Sequence, residues 1–111
     1  MAHSCILTAY ARFDDPPAVN KLLESIRNAD EIRETLKSGR PLRARNWDRE
    51  TRTARFIVSD GVTVGCYTVT EITAKQAARI GSECDSVVTL GSDKFCSIVQ
   101  RALGISTFTV Q

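Results

Sequence analysis

The chain has 111 residues, of which 42% are hydrophobic and 25% charged, and its formal net charge is +2. These are the proportions of one ordinary globular domain over 1–111, and they argue against disorder. No run approaches the roughly 20 apolar residues of a membrane span, and Met1 to Phe13 lack the basic-then-apolar order of a signal peptide, so a cytoplasmic protein with no membrane partner is expected.

Residues 5–13 open the order of elements. Cys5, Leu7, Ala9, Ala11 and Phe13 alternate with Ile6, Thr8, Tyr10 and Arg12, a period of two that predicts a half-buried strand. Asp14-Asp15-Pro16-Pro17 then opens a helix: Asp15 suits the N-cap, and proline fits a first turn whose N–H groups have no helical partner. Val19, Leu22, Leu23 and Ile26 make its apolar stripe. The stripe drifts at Asn28-Ala29-Asp30, which predicts a break and a short second helix carrying Ile32 and Leu36 and ending at Gly39.

Residues 41–70 read as a β-meander. Asp60-Gly61, between Arg55-Phe56-Ile57-Val58 and Val62-Thr63-Val64, is a two-residue hairpin signal, and a further strand is expected near 42–48. Thr73-Ala74-Lys75-Gln76 fits a capping box, and its helix, carrying Ala77, Ala78 and Ile80, should close at Gly81. Ser86 to Leu90 is β-branched and apolar, as a strand covered on both faces would be. Ser92 should cap a last helix striped by Phe95, Ile98, Val99, Ala102 and Leu103; Gly104 ends it, and Ile105 to Val110 forms the final strand. The fold class is therefore α/β: a mixed sheet of about five to six strands, a hairpin meander, a C-terminal β-α-β-α-β run and helices packed on the sheet.

Residues that could carry chemistry are few. Four cysteines (Cys5, Cys66, Cys84, Cys96) show no C-x-x-C spacing, which favours buried reduced thiols over a zinc site or a disulfide framework. The single histidine, His3, lies near the chain start, so no nucleophile has an evident base. No catalytic residue, metal site or cofactor is expected.

The most unusual segment is 40–55, where Arg40, Arg43, Arg45, Arg49, Arg52 and Arg55 face only Asp48 and Glu50, a net +4 in a chain whose total is +2. Arginine offers carboxylates and phosphates a planar fork of donors, and Trp47 could stack on a base or anchor an interface. Binding is thus assigned to Arg43, Arg45, Trp47, Arg49 and Arg52. A solvated hairpin, its arginines paired with Asp48, Glu50 and the acidic helix at 24–34, is the plainer reading. A second, weaker candidate is the anion-binding turn Gly91-Ser92-Asp93-Lys94 at a helix start, with Gly91, Ser92 and Lys94 as ligands and Asp93 opposing them.

Phe56 to Val110, roughly half the chain, resembles the iron–molybdenum cofactor-binding domain of nitrogenase accessory proteins. Ser59-Asp60-Gly61, a strand at Tyr67–Val69, Cys84 ahead of an apolar strand and Gly104-Ile105 ahead of the last strand carry the likeness. The family's histidine–phenylalanine–glycine segment has no counterpart here. The resemblance implies a carrier of a small ligand or metal cluster.

The reading these features favour is a non-enzymatic binding or regulatory module acting through a protein partner by its Arg/Trp-rich arm, self-association included. A nucleic-acid-binding protein using the same arm is the alternative, and the small-ligand or cluster carrier is the third.

Overall fold

Strand β1 (Ser4–Arg12) lies between β4 (Thr63–Thr70), antiparallel to it, and β5 (Thr109–Val110), which runs parallel. The computed structural model describes residues 2–26, 29–38, 44–59, 62–85 and 91–111. Within them β2 (Ala44–Asp48) and β3 (Thr53–Ser59) complete a mixed sheet in the order β2-β3-β4-β1-β5. The α/β class and the mixed sheet follow the expectation from sequence. The radius of gyration, 13.2 Å, is what a compact chain of this length has, about 13 Å.

Local chemistry fixes most helix ends. Helix α1 (Pro16–Glu24) starts at Asp15, whose Oδ1 accepts from the Ala18 N–H at 3.4 Å. Helix α2 (Ala29–Ser38) follows, with Asp30 and Glu31 complementing its N-terminal dipole. Helix α3 (Ala74–Asp85) begins with the expected capping box: Thr73 Oγ1 accepts from Gln76 N–H at 3.2 Å, and Gln76 Oε1 accepts from Thr73 N–H at 2.9 Å. Helix α4 (Ser92–Leu103) ends at Gly104, whose φ of 67° lets Ile105 N–H reach the Gln100 carbonyl at 3.0 Å, as in a Schellman motif.

The sheet is covered on both faces. Ala54, Phe56, Val58, Tyr67 and Val69 pack with Ile80 of α3 and with Phe95, Ile98, Val99 and Ala102 of α4. Ile57, Val64 and Cys66 point the other way, against Val19, Leu22, Leu23, Ile26 and Ile32 of the α1–α2 layer. Strand β1 serves both layers because of a bulge. Leu7 pairs with Tyr67 and Ala9 with Cys66, so Thr8 is the extra residue. One added residue inverts a period of two. Cys5 therefore enters the α3–α4 layer, whereas Ala11 enters the other, with Ala9 and Phe13 packed against it. The uninterrupted alternation expected over 5–13 is corrected accordingly.

Four further expectations change. Gly81 does not close α3, which continues to Asp85; one internal glycine costs only about 1 kcal/mol, and burial of Ala77 and Ile80 outweighs it. Helix α4 is preceded by Gly91, which has no side chain with which to cap, so Ser92 is its first helical residue and not its cap. The final strand is confined to Thr109–Val110, because Gln100 Nε2 holds the Ser106 carbonyl at 2.8 Å and keeps the chain after α4 turned. Parallel pairing is limited to β1 with β5 among the described residues. The strand expected at 86–90, the Asp60-Gly61 turn and the Gly39 helix end lie outside the described residues.

Candidate functional site

The described part of the arginine-rich segment lies in a hairpin of β2 and β3, and β2 is its outer strand. Strand β2 pairs antiparallel with β3 from Ala44 opposite Ile57 to Asp48 opposite Thr53. No strand lies on its outer side among the described residues. An edge strand carries backbone N–H and C=O groups that point away from the sheet without a ladder partner.

Trp47 fastens this edge to the core. It is partly buried, packs against the α3–α4 cluster and donates from Nε1 to the Ile72 carbonyl at 3.3 Å. The N–H of Ile72 in turn donates to the Arg52 carbonyl at 3.0 Å. Ile72, wholly buried, thereby holds the tryptophan with one backbone group and the β2–β3 turn with the other. Arg52 (φ 53°) and Glu71 (φ 61°) are the non-glycine residues in the left-handed region among those described. Non-glycine side chains occupy that region at a cost of about 1–3 kcal/mol and persist where surrounding contacts hold them.

Asp48 organises the turn itself. Its Oδ1 accepts from the N–H of Glu50 at 2.9 Å and of Thr51 at 3.5 Å. The carboxylate is thus directed at its own backbone, as aspartate commonly is in turns. Arg49 and Arg52 are exposed on this turn, and neither forms an ion pair among the described residues. Arg55, exposed on β3, donates from Nη1 to the Ser25 carbonyl at 2.8 Å, just past the end of α1. The ion pairs between described residues lie elsewhere: Arg12–Asp14, Arg33–Asp30 and Lys37–Glu34.

Of the residues singled out from sequence, Trp47, Arg49 and Arg52 thus converge on one corner. Arg45 occupies a β2 position opposite Phe56, and Arg43 lies outside the described residues. The second candidate is separate: Gly91 and Lys94 are exposed at the start of α4, with exposed Asp93 between Ser92 and Lys94. The signal that sequence reasoning passed over is Ile72, an apolar residue whose backbone ties the basic turn to the core.

Three of the thiols, those of Cys5, Cys66 and Cys96, are poorly placed for nucleophilic chemistry. Burial pushes Cys5 up to about 12, and the neighbouring Cys96 thiol adds to the rise. Burial also raises Cys96. Burial raises Cys66 too, although a hydrogen bond from Thr8 and the nearby Arg55 charge act against it. Thiols in such surroundings stay protonated and inert.

The chain matches no protein-family model, no curated protein and no solved structure. The resemblance of Phe56 to Val110 to nitrogenase accessory domains therefore gains nothing from these comparisons. No helix among the described residues is long and apolar enough to cross a membrane.

Proposed function

We propose that the chain is a non-enzymatic binding module that engages a protein partner along the β2 edge and its arginine-bearing turn. One observation carries this reading. Arg49 and Arg52 stand exposed without an ion pair among the described residues, although two acids share their turn: Asp48 is directed at its own backbone, and Glu50, exposed between the two arginines, pairs with neither. A hairpin whose charges merely satisfied one another would pair them. Two cations held on a turn that is fixed to the core are prepaid in conformational entropy for binding an anion.

A nucleic-acid partner would use the same arginines, but it would lack a stacking platform there, since Trp47 packs inward and its N–H is engaged. Residence in the cytoplasm belongs to the same proposal, since four free thiols suit a reducing compartment.

The test is capture from the native host with the wild-type chain and with Arg49→Glu/Arg52→Glu, each with and without nuclease. A specific protein should be retained after nuclease and depleted about ten-fold by the double reversal, with thermal unfolding unchanged. Retention that ignores the reversal, or that vanishes with nuclease, would refute the edge as a protein-docking surface.

A further inference from the structure

We infer that the partner segment is an extended acidic stretch of chain that adds to β2 as a further strand and sets its carboxylates against Arg49 and Arg52. This rests on the edge reading above and gives that edge a ligand chemistry. The argument begins with the backbone. Strand β2 is five residues long and its inner side is paired throughout with β3. No strand lies on its outer side among the described residues, and backbone groups there can be satisfied by another extended chain, the mode in which main-chain bonds supply affinity and side chains supply choice. A partner helix has its own backbone bonds closed and cannot complete that ladder.

Charge then decides among extended chains. Residues 40–55 carry a net +4, and Arg49 and Arg52 are exposed where β2 turns into β3. Arg55 adds a third exposed guanidinium, on the neighbouring strand opposite Asn46. A second copy of this chain pairing β2 with β2 would offer one arginine and one aspartate, Arg45 and Asp48, and that aspartate is engaged in its own turn, so it brings no surplus of carboxylate to set against Arg49 and Arg52. A chain bearing aspartate or glutamate converts the same charges into attraction, and each arginine can grip a carboxylate with two parallel hydrogen bonds.

The other sheet edge offers no equivalent. Strand β5 spans two residues, Thr109 and Val110, too short a ladder to hold a partner strand.

The experiment uses the full chain and four fluorescein-labelled probes in fluorescence polarisation. These are a short peptide alternating valine and glutamate, its valine–lysine counterpart, the acidic peptide N-methylated at alternate residues, and a short single-stranded oligothymidylate. The acidic peptide should bind about ten-fold tighter than each of the other three. Amide hydrogen exchange at residues 44–48 should slow when it binds. Arg49→Glu/Arg52→Glu should reverse the preference toward the lysine peptide, a gain that only a folded variant can make. Equal binding of the N-methylated peptide would leave charge without strand addition and overturn the inference. Tighter binding of the oligothymidylate, or no binding of the acidic peptide, would overturn it as well. If the acidic peptide fails while host-partner capture still depends on Arg49 and Arg52, the ligand chemistry is wrong and the docking edge stands. If both fail, both readings fall.

Discussion

The two helical layers that flank the sheet are built from different side chains. On the α3–α4 side the rings of Phe56 and Phe95 meet at 5.8 Å, Tyr67 stacks on Phe95 at 4.2 Å, and Tyr10 meets Tyr67 edge-on at 6.1 Å. On the α1–α2 side the buried side chains are aliphatic, from Val19, Leu22, Leu23, Ile26 and Ile32. The difference bears on function because Trp47 packs against the aromatic layer, so that layer steadies the β2 edge. The aliphatic layer meets the basic surface through Arg55, which reaches the Ser25 carbonyl. Damage to the aromatic side should therefore cost both stability and binding, and damage to the aliphatic side chiefly stability.

The largest expected effect is that of Phe95→Ala, which removes a ring that is fully buried and should cost about 3–5 kcal/mol. Leu23→Ala on the opposite face, where the leucine is as deeply buried, should cost roughly 2–5 kcal/mol. Denaturant titrations of the two variants compare the layers directly, and a larger loss from Leu23→Ala would reverse their ranking.

A smaller effect tests the rim of the aromatic layer. A Cβ at position 65 would sit 2.6 Å from Cε1 of Tyr10, and the Tyr10 hydroxyl is itself hydrogen-bonded to that of Tyr67. Gly65→Ala should therefore cost about 1–3 kcal/mol, as overpacking does. Combining it with Tyr10→Ala should recover part of that cost; simple additivity in a double-mutant cycle would mean the two residues do not collide.

The smallest effect concerns alkaline pH, where each layer holds a buried thiol. Cys5 of the aromatic layer keeps its proton to about 12 in the folded chain, against an ordinary 9.0. Between those values the unfolded chain binds fewer protons than the folded one, so stability is complete below pH 9.0 and falls as pH rises toward 12. Cys66 of the aliphatic layer is raised too, but Thr8 and Arg55 oppose the shift. Cys5→Ala should therefore flatten the alkaline loss more than Cys66→Ala does, measured as thermal midpoint against pH for each variant.

The sequence by itself determined the features whose causes are local. Asp15 caps α1, Thr73 and Gln76 close a capping box, and Gly104 ends α4, because each is set by bonds between residues a few positions apart. Phe95, Ile98, Val99 and Ala102 are buried as their spacing predicts, and the excess of arginine in 40–55 is a matter of composition. The tertiary structure alone decided the rest. The Thr8 bulge divides β1 between two layers only because β4 lies opposite, and Gly81 stays helical because its neighbours are buried. That β2, within the arginine segment, is a sheet edge among the described residues follows from the order β2-β3-β4-β1-β5. Pairing between strands distant in sequence leaves no periodic trace in any one of them. For the same reason Trp47 could be singled out from sequence, but its anchor at Ile72, twenty-five residues along the chain, could be found only where the fold brings the two together.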